Sequence, residues 1–93
     1  MQIVLTGIML KKNEVKRISD TLSVLDFIML IDEDTKYPQK LMITATNDKI
    51  DEVKVIPIGR KCDAKVYVRG KEKNGSYFNS FNLYAIKPTE EEA

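Results

Sequence analysis

Arg69, Lys71 and Lys73 recur at every second position, and Tyr77, Phe78 and Asn79 follow within a few residues. Cations in that spacing can neutralise phosphates, while the rings beside them can stack on unpaired bases. A second cationic group, Lys11, Lys12, Lys16 and Arg17, lies in a polar stretch near the N-terminus. Tyr37, Tyr67 and Tyr84 are further candidate stacking rings. Lys40, with Met42 and Thr44 on the same side of its segment, is a weaker candidate contact, and Asn79 and Asn82 offer hydrogen bonds to base edges. Plain structural roles compete with each assignment. A charged strand edge discourages aggregation, and Tyr67 and Tyr84 are placed to pack against each other across a sheet. Tyr77 and Phe78 are neighbours, so in a strand they point to opposite sides, and one is expected in the core.

Other chemistries find few residues. The chain has no His, which removes the commonest general base and metal ligand, and its single cysteine, Cys62, makes neither a disulfide nor a zinc site. Asp32, Glu33 and Asp34 form an acidic turn without the loop spacing of an EF-hand. Four glycines form no phosphate-cradling loop. The expectation is a protein that is not an enzyme and has neither cofactor nor metal.

The elements that must hold the candidate residues can be read from periodicity. Residues 62–71 place Cys62, Ala64, Val66 and Val68 on one face and Asp63, Lys65, Tyr67, Arg69 and Lys71 on the other. A second strand over 77–87 follows Asn74-Gly75, the strongest short-range hairpin signal. Upstream, 1–10 reads as a mostly buried strand with Gly7 at a bulge or coil, and 11–21 as a net basic connection. Strands over 22–31 and from Tyr37-Pro38 to 46 form another hairpin across the polar turn 32–36. At 47–53 the period changes, with Asn47 as N-cap, early Asp48, Asp51 and Glu52, and Ile50 and Val53 three apart, which predicts one or two helical turns. Pro57 and Gly59 end them.

Three strands, a short helix and two more strands is the order of an OB-fold, an all-β Greek-key barrel of five strands with a helix between the third and fourth. An SH3-like barrel is the rival, with shorter strands. In the OB-fold the loops between strands one and two and between four and five border the ligand face, and these are the two basic stretches here. The expectation is that both converge at one mouth of the barrel.

Tyr37-Pro38-Gln39-Lys40, Asn47-Asp48-Lys49-Ile50-Asp51, Asn74-Gly75-Ser76-Tyr77-Phe78-Asn79 and Ala85-Ile86-Lys87 resemble a family of short prokaryotic OB-fold domains of uncharacterised function, similar to single-stranded-DNA-binding proteins. The resemblance covers roughly 37–87. Asn47 stands where the family has Gly, and Tyr77 and Tyr84 where Trp is common, so the stacking that the resemblance implies falls to tyrosine.

Length and charge agree with one small domain over 1–88 followed by an acidic tail at 89–93. Net charge is +1, but Glu90, Glu91 and Glu92 leave the preceding residues with 15 basic against 11 acidic side chains. No apolar run approaches membrane-spanning length, and no leader pattern opens the chain, so a cytoplasmic location without membrane attachment is expected. The function expected is single-stranded DNA binding without sequence preference, in replication, recombination or repair, by a chain that forms homo-oligomers through strand one. Single-stranded RNA satisfies the same chemistry. The alternative is an assembly module using Val24, Ile28 and Leu30 on the outer side of strand two.

Overall fold

The described residues form six strands, β1 (Gln2–Lys12), β2 (Lys16–Ser19), β3 (Leu22–Ile31), β4 (Gln39–Thr46), β5 (Lys61–Lys73) and β6 (Ser76–Pro88), and all but β2 alternate inward and outward side chains over their barrel parts. One helix, α1 (Lys49–Lys54), joins β4 to β5. The computed structural model describes residues 2–31 and 35–89. The strands run in the order β1-β5-β6-β4-β3-β2, and a further β1–β3 pairing closes five of them into a barrel. All the pairings are antiparallel except β4 with β6, which are parallel with Thr44 opposite Asn82. This is the five-stranded OB-fold with a short helix before its fourth barrel strand, and β2 is an addition to it.

Closure depends on β1 serving two neighbours. Gln2 to Ile8 pair with β5, and from Gly7 onward the same strand pairs with β3, so Gly7 lies opposite both Cys62 and Ile31. A Cβ at Gly7 would meet the Leu30 carbonyl oxygen and Ile31 Cδ1. Only a bare Cα allows that approach. Past the crossover, Leu10 is the extra residue of a bulge between Met9 and Lys11, which bends the strand around the barrel. β1 is accordingly less buried than its sequence implies: Val4 and Leu10 are exposed, while Gly7 and Met9 are buried.

The interior is one apolar cluster. Phe27, Met9, Met29 and Ile43 fill the barrel, and Ile50, Val53 and Ile56 plug one end from α1 and the turn after it. Cys62 lies inside with them, and desolvation, aided by the adjacent Asp63 carboxylate, pushes its thiol from 9.0 up to about 11. It is a core residue, not a nucleophile.

Three local expectations are corrected. The connection 11–21 is mostly strand: the Asn13 N–H donates to the Asp26 carbonyl at 2.9 Å, and Lys16 and Arg17 then pair with Val24 and Ser23. Backbone bonds form this ribbon without burying a side chain, so hydrophobic periodicity does not report it. Asn47 is not the helix N-cap. It adopts φ 49°, its side-chain oxygen accepts from the Ser23 N–H at 3.0 Å, and its own N–H donates to the Ser23 carbonyl at 3.0 Å. Asp48 occupies the cap position without a side-chain capping bond. Tyr37 and Pro38 precede β4 instead of opening it. The acidic turn residues Asp32, Glu33 and Asp34, and the acidic tail from Glu90, lie outside the described residues.

Two outcomes test the barrel. Gly7→Ala is expected to lower the unfolding free energy by about 1–3 kcal/mol or more in urea titrations, as an overpacked substitution does. Because the folded thiol ionises later than the unfolded one, the stability it contributes is complete below pH 9.0 and is lost as pH rises through about 11. Cys62→Ala should flatten that alkaline decline, measured by denaturation at a series of pH values.

Candidate nucleic-acid interface

β5 and β6 outrun the barrel. The last β5 residue paired with β1 is Tyr67, yet β5 continues to Lys73 and stays paired with β6 up to Lys73 opposite Ser76. Asn74 and Gly75, at φ 52° and 81°, close this arm as the two left-handed residues of a tight hairpin turn. Its pairing sorts the side chains. Arg69 opposite Ser80, Lys71 opposite Phe78 and Lys73 opposite Ser76 share the front face, while Gly70 opposite Asn79 and Glu72 opposite Tyr77 form the back. The front carries three cations and no carboxylate. Among the described residues, none of the three has an ion-pair partner.

Tyr77 and Phe78 do face opposite ways, but neither is in the core: they are 76% and 57% exposed. The reason is the arm's length. At Phe81 and Val68 the back face is still half-buried against the barrel, and four residues further out nothing lies beneath it. Phe78 is therefore the ring that shares a face with the cations, and Tyr77 and Asn79 are turned away from them.

The front face continues onto the barrel's outer surface. Tyr67 is directly opposite Asn82, Asn82 is level with Thr44, and Thr44 is opposite Asp26, whose carboxylate accepts from the Thr44 hydroxyl at 2.7 Å. Beside that row, Ile28 lies between Lys11 and Met42, and Val24 between Lys16 and Thr46. Lys40, opposite Leu30, is on the same outer side. The surface is thus apolar and hydroxyl-bearing along its middle, with cations toward both edges.

A bulge sets the aromatic pair. The register passes from Lys65 opposite Ala85 to Val66 opposite Leu83, which leaves Tyr84 as the extra residue. Its ring meets Tyr67 edge-on, with centroids 5.5 Å apart and an interplanar angle of 63°. Lys49 Nζ lies 5.8 Å from the Tyr84 centroid and 3.3 Å from Glu52 Oε2. Sequence reasoning missed Lys49, and no local signal marks it, because only the fold carries the start of α1 to β6.

The first cationic group divides. Lys12 Nζ donates to the Lys54 carbonyl at 3.2 Å, where it caps the C-terminal end of α1. Arg17 pairs with Asp20 at 3.2 Å on the open surface. Among the described residues, the Lys11 and Lys16 ammonium groups have no ion-pair partner, and both lie beside β3. Tyr37 is exposed with Lys36 Nζ 5.8 Å from its ring centroid, apart from the Tyr67–Tyr84 pair. The two basic connections do not converge at one mouth. β5 runs antiparallel to β1, so the arm leaves the barrel beyond Gln2 and the other connection leaves from Lys12. They flank the outer surface from opposite ends of β1.

Residues 5–87 match the family model described as a domain of unknown function, DUF3127. The chain belongs to the DUF3127 family. No curated protein matches it. Among solved structures, it is similar to the dimeric N-terminal domain of PriB from Thermoanaerobacter tencongensis, with TM-score 0.72, 16% identity and 97% of each chain covered. The small single-stranded DNA-binding protein from Streptomyces coelicolor gives TM-score 0.63 at 12% identity, over 96% of this chain and 94% of that one. The second single-stranded DNA-binding protein from Mycobacterium smegmatis gives 0.69 at 10% identity, over 94% and 86%. Identities this low make these likenesses of fold.

If the arm's rings have no structural duty, Tyr77→Ala and Phe78→Ala should each shift the unfolding free energy by no more than about 0.5 kcal/mol, as exposed substitutions do. Phe27→Ala in the core should cost about 3–5 kcal/mol in the same denaturant titration.

Proposed function

We propose that this DUF3127 chain binds single-stranded DNA with little sequence preference along the arm's front face and the adjoining outer surface of β6 and β4. The observation that carries the reading is the placement of Arg69, Lys71, Lys73 and Phe78 on one side of the arm, in phase with Tyr67 and Asn82 on the barrel. The cations hold the sugar-phosphate backbone, and Phe78, Tyr67 and Tyr84 supply ring surfaces worth ~1–3 kcal/mol per stacked base. Asn82 and Ser80 offer hydrogen bonds to whichever base edge passes, which is compatible with weak sequence preference. Lys11, Lys16 and Lys40 extend the cationic border around the barrel. Duplex DNA hides its base faces and has no use for the rings.

The fold of the two single-stranded DNA-binding proteins it resembles supports the same reading. On this reading the chain binds and does not catalyse, and acts where unpaired DNA is exposed in replication, recombination or repair. Single-stranded RNA would engage the same groups. A few phosphate contacts make one subunit a weak, salt-sensitive binder, and pairing two copies multiplies the site. The edge of β1 before Gly7, which among the described residues has no partner on the β3 side, is the place for that pairing.

An assembly role has one observation in its favour. Val55 and Ile58, 76% and 58% exposed, lie at the α1 end of the barrel, whereas Val24, Ile28 and Leu30 are half-buried and offer less. Fluorescence anisotropy with labelled oligo-dT and with duplex of equal length separates the readings. Single strand should bind more tightly than duplex, and affinity should fall with salt with a log–log slope of about −0.7 per phosphate contact. Lys71→Glu should weaken binding at least tenfold and Phe78→Ala roughly tenfold, the equivalent of ~1.4 kcal/mol. Equal affinity for duplex, or no binding of either, contradicts the proposal.

A further inference from the structure

Next to the Tyr67–Tyr84 pair, on the outer side of β1, β5 and β6, lies an open groove of about 340 Å³ lined by Val4, Asp63, Lys65, Ala85, Ile86 and Lys87. Its shape follows from sheet register. Val4 is opposite Lys65 and Lys65 is opposite Ala85; one step on, Thr6 is opposite Asp63 and Asp63 opposite Lys87. Ala85 is the small residue beside the bulged Tyr84, so the floor drops where the aromatic pair ends.

The lining has the chemistry of a nucleotide cradle. Val4 and Ala85 give an apolar floor on which a base or sugar can rest. Lys65, between Val4 and Ala85 in register, and Lys87 are exposed, and among the described residues neither ammonium has an ion-pair partner. The one carboxylate, Asp63, accepts from the Thr6 hydroxyl at 2.6 Å. Two cations against one carboxylate leave the groove net positive beside apolar Val4 and Ala85, which suits a phosphate chain bearing flat rings.

We propose that this groove is a second subsite for the same single strand, which receives the nucleotides that continue past Tyr67 and Tyr84. The inference rests on the single-strand reading above and adds a direction to it. From the Tyr67–Tyr84 pair the added nucleotides run down β5 and β6 toward β1, on the opposite side of the arm from the β6 and β4 surface. A short oligonucleotide fills the arm face and the adjoining surface of β6 and β4, and a longer one fills the groove as well.

The test compares labelled oligo-dT of about 6 and about 16 nucleotides, near the two ends of the ~4–16 nucleotide range of OB-fold site sizes. The proteins are wild type, Lys65→Glu/Lys87→Glu and the milder Lys65→Gln/Lys87→Gln. For the longer oligonucleotide the charge-reversed variant should bind about tenfold more weakly, with a log–log salt slope shallower by roughly 1.4 for two lost phosphate contacts. The neutral variant should show the same slope change with a smaller loss, which keeps the test valid if charge reversal impairs folding. The shorter oligonucleotide should bind all three proteins within about twofold.

Failure takes distinct forms. Wild type that binds neither length removes the single-strand reading and the groove with it. Wild type that binds, with variants unchanged on the longer oligonucleotide, overturns the groove alone. Equal losses on both lengths make these lysines part of the primary contact and overturn a separate subsite. Loss of mass in light scattering of the variants, with DNA affinity retained, makes the groove a contact between copies of the chain and also overturns it.

Discussion

The structure depends on one close approach, the bare Cα of Gly7 against the Leu30 carbonyl. Because β1 passes so near to β3 at that point, it can leave β5 and take up β3 without a break, and the barrel closes. Closure commits every inward side chain of five strands to a single core, with Phe27, Met9, Met29 and Ile43 fully buried. A barrel of this size is filled by its own residues and keeps no internal room for a ligand. What the protein does is left to its outer surface, its strand edges and whatever projects beyond the barrel.

The β5–β6 arm is that projection, and its register turns a one-dimensional charge pattern into a surface. Alternation alone places Arg69, Lys71 and Lys73 together, but it takes the Asn74-Gly75 turn to set Phe78 beside them and Tyr77 behind. Had the turn one residue more, the two rings would exchange faces. The β6 bulge has a similar effect on the barrel wall, where it brings Tyr84 against Tyr67 and leaves Ala85 as the low point next to it. In both places backbone geometry, set by one or two residues, decides which side chains act together.

Much of this was legible in the sequence because the relevant signals are local. The period-two pattern from Cys62 and the Asn-Gly turn define the longest hairpin, and the change of period at Asn47 marks the helix. The OB order of strands and helix follows from those elements. The parts that escaped are long-range or leave no hydrophobic trace. β2 forms through backbone bonds with every side chain exposed. Asn47 resembles an N-cap by type, but the proximity of Ser23 draws its side chain across to β3. The expected burial of Tyr77 or Phe78 failed because periodicity gives the direction of a side chain and not whether anything lies on that side. Lys12 reads as one more surface cation until the fold brings the end of α1 within its reach.

The central claim is spatial, namely that an unpaired strand lies on the arm's front face and continues over the outer surface of the barrel. Backbone amide chemical-shift mapping during titration with oligo-dT tests it most directly. The account predicts shifts concentrated at Tyr67, Arg69, Lys71, Phe78, Ser80 and Asn82, with Val55 and Ile58 at the far end unchanged. Shifts confined to the α1 end, or an arm unmoved at saturating oligonucleotide, would contradict it.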